Sequence, residues 1–312
     1  MSHVRHLWVG AWGFWFSRIA PRDRDAARNP PGLRTSLPRH MFAPMRLMLT
    51  IAYDGRPYNG WQSQACGNTV QDFILRALEE VAKQPVKLQG SGRTDTGVHA
   101  LGQTAHFDPP PEISMNPFNW VPALNCKLPA TIRIMACEEV AADFHSRFSA
   151  TGKIYHYDIC TDPVLPPLMA GLAWHLPRLL DASALEQALA LFTGRHDFHA
   201  FAAYRGNETP DMDWHRSIQR ADLETLADGY RITYVGDGFL YKMVRLLTGA
   251  AVHAAQGRMR MDDLAALLDQ PPGLPLGKAP NCAPADGLYL QEVLYEISGI
   301  NHAGHAPMHA DE

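Results

Sequence analysis

The sequence contains no uninterrupted apolar run of the roughly 20 residues needed to cross a bilayer. Its longest candidate, Leu7 to Ala20, is broken by Ser17 and Arg18, so no membrane partner is expected. Cysteine is scarce. Cys66, Cys126, Cys137, Cys160 and Cys282 are scattered, odd in number and without a C-x-x-C pair. That distribution gives neither a disulfide framework nor a structural zinc site, and it fits a reducing, cytoplasmic setting. Excess positive charge is missing as well: the formal net charge is -4 with 19% charged residues. Such a balance argues against a general nucleic-acid binder, although RNA binding needs positive charge only along one groove. What is present is ordinary globular material. Hydrophobic residues make up 46% of 312, enough for two domains around one or two cores.

Charge is unevenly placed. Residues 1–45 hold seven Arg and two acidic residues, whereas 46–312 hold 21 basic and 30 acidic ones. Four of the first 15 residues are Trp or Phe, and a Pro- and Arg-rich run follows to Met45. Three readings compete: a disordered arm, a poorly formed targeting signal, or a stretch upstream of a start at Met41 or Met45. The favoured expectation is a non-essential extension. Residues 299–312 read as a flexible tail, and His302, His305 and His309 as part of that tail rather than a metal site.

Periodicity begins at Arg46. Alternation predicts strands over Arg46 to Tyr53, Val86 to Gln89, Gln103 to Phe107, Thr131 to Val140, Lys153 to Cys160 and Leu288 to Tyr295. Ser217 to Leu226 and Tyr230 to Val235 flank Asp228-Gly229, a hairpin turn signal. Helical spacing covers Thr69 to Lys83, where Thr69 and Asp72 form a capping box and Val70, Phe73, Ile74, Ala77, Leu78 and Val81 make one stripe. Further helices are expected at Asn116 to Cys126, Asp181 to Phe192, Lys242 to Ala255 and Asp262 to Leu268. Hairpin-joined strands with irregularly recurring helices indicate an α+β fold with antiparallel sheets. The expected division is 46–150 and 151–298. No sequence self-similarity proves that one half duplicates the other.

The segment Gly90-Ser91-Gly92-Arg93-Thr94-Asp95-Thr96-Gly97-Val98-His99 stands out. Its glycines allow unusual backbone angles and close approach by a substrate. Spacing alone favours a tight surface turn with an incidental Arg93–Asp95 ion pair. GRTDTGVH, however, resembles the signature G-R-T-D-x-G-V-H of the TruA family of tRNA pseudouridine synthases. Other marks stand in the family's order: YDG at Tyr53 to Gly55, GWQ at Gly60 to Gln62, TVQ at Thr69 to Gln71, GQTAHF at Gly102 to Phe107, FHSRFSAT at Phe144 to Thr151, KIYHY at Lys153 to Tyr157, and GFLYKMVR at Gly238 to Arg245. The resemblance covers about Met45 to Glu296. The Arg-rich extension has no counterpart in the family pattern, and the resemblance is looser in Phe198 to Trp214 and at Gly152-Lys153-Ile154, which carries a single basic residue.

The resemblance implies a pseudouridine synthase fold, with two ferredoxin-like (RRM-like) α+β domains whose sheets meet at a central cleft and a catalytic amino-terminal half. It implies a homodimer that grips tRNA and isomerises uridines at nucleotide positions 38, 39 and 40 of the anticodon stem-loop. Asp95 matches the essential carboxylate. Arg93, Tyr155 and Arg245 match substrate-site residues, and Gly92, Thr94, Gly97 and His99 support the loop. The reaction breaks the C1′–N1 bond and joins C1′ to C5, so nothing is oxidised and no cofactor is required. Asp95 could attack C1′, stabilise positive charge on the sugar, or remove a sugar proton.

An ionised Asp95 in a water-excluding pocket needs a cationic neighbour. The expectation is that Arg245 pairs with it while Arg93 serves the RNA backbone and helps open the duplex; an Arg245 that merely snorkels at a helix edge is the alternative. Tyr155 and Tyr157 share a strand face. Tyr157 is assigned to packing, Tyr155 to stacking on the extruded base and to proton transfer. Trp61 is assigned to structure. His99 and His106 lack the companions of a metal site, and His99 is read as a brace for the loop. Two rival functions remain: an Asp95-dependent nucleoside or sugar hydrolase, which would need a second carboxylate, and a non-catalytic RNA-binding module.

Overall fold

Apolar alternation makes Arg46–Tyr53 the first strand, β1, with Leu47, Leu49 and Ile51 fully buried. In the computed structural model the described residues are 45–177, 180–206, 208–209, 211–270 and 278–296. The expected extension before Met45 and the tail with its three histidines lie outside them.

Helix α1, Val70–Ala82, starts where its capping box dictates. The Thr69 hydroxyl accepts the Asp72 N–H at 3.3 Å, and the Asp72 carboxylate accepts the Thr69 N–H at 3.2 Å. Val70, Ile74, Ala77 and Leu78 are buried, while Phe73 and Val81 are half-buried at the stripe's edge. The next strand, β2, is only Gln89–Gly90, displaced from the expected Val86 to Gln89. Val86 and Leu88 are core side chains, but ladder pairing begins only at Gln89, opposite His106. Strand β3, His99–Phe107, starts earlier than its alternation indicates, because β1 pairs along it as far as Ala100.

Helix α2, Pro117–Asn125, is capped by Asn116 and lies on β4, Ile132–Val140. Strand β5, Ala150–Cys160, is followed by the short β6, Trp174–His175, and by helix α3, Ala182–Leu191, capped by Asp181. Strand β7, Gly194–Asp197, has too few residues to show periodicity and was not expected. The predicted hairpin is β8, His215–Leu226, and β9, Gly229–Gly236. Helices α4, Met243–Ala255, and α5, Met261–Ala265, precede the last strand, β10, Leu288–Tyr295. Helix α3 packs on α4 and β8.

The strands form one continuous sheet in the order β4-β1-β3-β10-β5-β9-β8-β7, with β2 paired to β3 and β6 to β5. The sheet is mixed rather than purely antiparallel, since β10 runs parallel to β3 and β6 parallel to β5. Chain order does not reveal this arrangement: the last strand returns to the middle and joins β3 to β5. One hydrophobic cluster extends across both sides of that junction, from Leu47 and Ile74 to Ile232 and Leu247. The fold is α+β, with a mixed sheet.

The junction is sealed by aromatic rings. Tyr289 of β10 lies between His99 of β3 and His156 of β5, stacked on each at 4.6 Å between centroids. Burial lowers the pKa of both histidines. His106 is pushed down to about 4, chiefly by burial and then by His145 and Arg46. In an unfolded chain each would accept a proton near pH 6.5. The unfolded state therefore binds more protons below that pH, and the stability present above pH 6.5 is lost as pH falls toward 4. Thermal melts should show a Tm that declines steadily from pH 6.5 to 4.5; an unchanged Tm would contradict the assignment. Independently, Thr69→Ala should cost about 1 kcal/mol in urea unfolding, without altering the cooperativity of the transition.

Candidate active site

The loop between β2 and β3 is held from below before it presents anything to solvent. Thr94 is buried, and its hydroxyl is 2.8 Å from the Tyr53 hydroxyl. Its carbonyl accepts the N–H of Trp61 at 3.1 Å. Trp61 is 1% exposed, so it is a structural residue. At Gly97 the chain turns with φ +81, a left-handed angle that a side chain would strain. His99 closes the loop: its Nδ1 accepts the Gly55 N–H at 3.2 Å, and its Nε2 donates to the Gly171 carbonyl at 3.0 Å. Between these anchors Asp95 is partly exposed.

The partner of Asp95 comes from 150 residues away. Arg245, in the first turn of α4, donates from Nη1 to the Asp95 carboxylate at 3.2 Å, with the two side chains 15% and 18% exposed. Its Nε donates to the Ala283 carbonyl at 2.7 Å, and the Ala283 N–H returns a bond to the Arg245 carbonyl. The guanidinium is thus fixed on two sides and is not a snorkelling edge residue. Arg93 is directed elsewhere. It is exposed, and its Nε donates to the Gln62 side chain at 3.2 Å.

Tyr155 lies on β5 with its ring edge-to-face against Phe239 at 5.2 Å. Burial, then the nearby Tyr53 and Asp95, push its hydroxyl above the ordinary phenol range. Tyr157, on the same strand, is fully buried and donates to the Pro284 carbonyl at 2.8 Å; it packs the sheet.

These groups open on a cavity of about 510 Å³ lined by Gly92, Arg93, Thr94, Asp95 and Tyr155. Five cationic side chains line it, Arg93, Arg147, Lys153, Arg205 and Lys242, against two carboxylates, Asp95 and Asp237. The acidic chain therefore concentrates positive charge around this cavity. Asp237 is tied to the end of β8, accepting the Ser217 N–H at 3.0 Å. Sequence reasoning missed Arg147, Lys153, Arg205 and Lys242. Lys153 carried a local signal, two residues before Tyr155 on one strand face, and Arg147 and Lys242 lie inside the FHSRFSAT and GFLYKMVR segments. Arg205 reaches the cavity through tertiary structure alone. Among the described residues no group of three or more His, Cys, Asp or Glu side chains could hold a metal, and no helix is long and apolar enough to cross a membrane.

Comparison with known proteins identifies the family. A family model described as tRNA pseudouridine synthase matches residues 49–149 and 188–296. The chain is 51% identical over 253 residues to tRNA pseudouridine synthase A of Akkermansia muciniphila, covering 80% of this chain and 95% of that one. It is 40% identical over 251 residues to tRNA pseudouridine synthase A 1 of Protochlamydia amoebophila, with 80% and 95% covered. Against tRNA pseudouridine synthase A of Bacillus pumilus it is 38% identical over 254 residues, with 81% and 100% covered. The chain belongs to the TruA family of tRNA pseudouridine synthases and isomerises uridine to pseudouridine in tRNA.

Proposed function

We propose that the uridines at nucleotide positions 38, 39 and 40 of the anticodon stem-loop are the substrates, and that Asp95 is the carboxylate that acts on their ribose. The observation that carries this reading is the Asp95–Arg245 pair at the edge of a cation-lined cavity. A guanidinium fixed on the Ala283 carbonyl holds the carboxylate in one orientation. The same carboxylate serves attack on C1′, stabilisation of positive charge on the sugar, or removal of a sugar proton. Arg245 keeps its proton and acts by positioning Asp95.

Tyr155 is assigned to the base. The target nucleotide must leave its stack, and a ring on the cavity wall repays part of that cost, roughly 1–3 kcal/mol per stacked base. Its hydroxyl, held protonated by its surroundings, assists proton transfer. Arg93, exposed at the cavity rim, is assigned to the RNA backbone and to opening the duplex. The halves 46–150 and 151–298 are proposed as the two domains, since loop and helix from opposite sides of residue 150 supply Asp95 and Arg245. A cytoplasmic site of action is supported by five free cysteines. A homodimer is carried over from the family resemblance, and light scattering in solution tests it directly.

Release of tritium from tRNA labelled at C5 of uridine reads the isomerisation, because C5 must lose its hydrogen. Asp95→Asn should abolish release while retaining most tRNA binding; near-normal release would overturn the assignment. Tyr155→Phe keeps the ring and loses the hydroxyl. It should leave tRNA binding within about twofold and lower kcat by about 100-fold, the smaller end of acid–base contributions. An unchanged kcat would confine Tyr155 to stacking. Sequencing of the product should place pseudouridine at positions 38 to 40 and nowhere else in the stem.

A further inference from the structure

Lys153 stands on the cavity wall. Its side chain is half-buried, and its Nζ donates to the Ser91 carbonyl at 3.3 Å. It makes no ion pair with any described carboxylate. The fold holds the amine in place, since the Gly92 backbone approaches so closely that a Cβ there would lie 2.4 Å from Nζ. A charge that acts on it is another cation, Arg147, from the turn that leads into β5. An ammonium partly removed from water with no carboxylate paired to it is costly, and the exposed Arg147 adds repulsion. The arrangement lacks its negative partner.

We propose that Lys153, with Arg147, forms an anion subsite that takes a phosphodiester of the RNA strand beside the extruded uridine. This rests on the family's tRNA reaction and adds a substrate-positioning pair on the β5 side of the cavity. Phosphodiesters are the anionic groups that the substrate offers. An ammonium that is already desolvated makes a strong charge-assisted hydrogen bond to one. Lys153 shares the β5 face with Tyr155, so a backbone held there and a base against the Tyr155 ring belong to one short stretch of nucleotide.

The chemistry of lysine gives the proposal a signature that arginine lacks. Burial, and then Arg147, bring the Lys153 amine down to about 8 in the free protein. Other charged groups around it are Arg93 and Asp95 on the β2–β3 loop and Asp237 after β9. Arg205 and Lys242 add positive charge across the cavity. From β10, Glu292 and Tyr295 border the Lys153 pairing position. A bound phosphate raises the amine's pKa, so binding takes up a proton once the free amine has lost it. Affinity is then full below pH 8 and falls as pH rises through that value. For the fold the sign is opposite. The unfolded lysine titrates near 10.4, so between pH 8 and 10 the unfolded chain binds more protons and stability rises with pH.

Steady-state tritium release at constant ionic strength tests this between pH 7 and 9. For the wild-type protein KM for tRNA should rise about tenfold over that range. Lys153→Met should raise KM at pH 7 about tenfold, keep kcat within about threefold, remove the pH dependence and raise Tm. Lys153→Arg should restore the pH 7 KM to within about threefold of wild type while keeping the profile flat, because its charge does not titrate. A wild-type KM in Lys153→Met, or a Lys153→Arg profile as steep as wild type, overturns the proposal. So does a fall in kcat at constant KM, which would move Lys153 into the chemical step. If Lys153→Met fails to fold, the Lys153→Arg profile alone decides. Loss of the family reading is a separate outcome, visible as absence of tritium release by the wild-type protein at pH 7.

Discussion

Asp95 and Arg245 meet across 150 residues of sequence at 3.2 Å, and the rest of the architecture serves that meeting. Each side is fixed before contact is made. The loop bearing Asp95 is fastened through Thr94 to Tyr53 and Trp61, while the Arg245 guanidinium is fastened to the Ala283 carbonyl. A partly buried ion pair gains little from Coulomb attraction alone once desolvation is counted. Here the pair keeps a carboxylate in place at the mouth of the cation-lined cavity.

The sheet explains how two distant segments reach one site. Strand β10 joins β3 to β5 and so closes the two halves into a continuous surface. His99, Tyr289 and His156 stack across that seam. His99 is also the residue that ends the loop bearing Asp95. Folding of the seam and placement of Asp95 are therefore coupled through one side chain, and the helix bearing Arg245 completes the site from the other half.

Local rules read much of this directly. The alternation of Leu47, Leu49 and Ile51 and the Thr69–Asp72 capping box specify β1 and α1 with almost no reference to the rest of the chain. The GRTD loop was legible through its resemblance to a family, not through its spacing, which also suits an ordinary turn. Pairing partners were not legible. The short β7 exists because β8 offers an edge, and β3 extends to His99 because β1 and β10 flank it. Net charge misled in a similar way. It sums over the molecule, whereas Arg147, Lys153, Arg205 and Lys242 act only because folding gathers them around one cavity.

Arg245 gives the central claim its sharpest measurement. Single-turnover tritium release by Arg245→Met, at tRNA concentrations that saturate the protein, isolates the chemical step from binding. The account predicts a rate lowered by about 100-fold or more, as for loss of a fixed electrostatic contact at a reacting centre, with tRNA affinity changed only a few-fold. A rate within about threefold of wild type would show that the carboxylate works without its guanidinium, and the account would fail at its base.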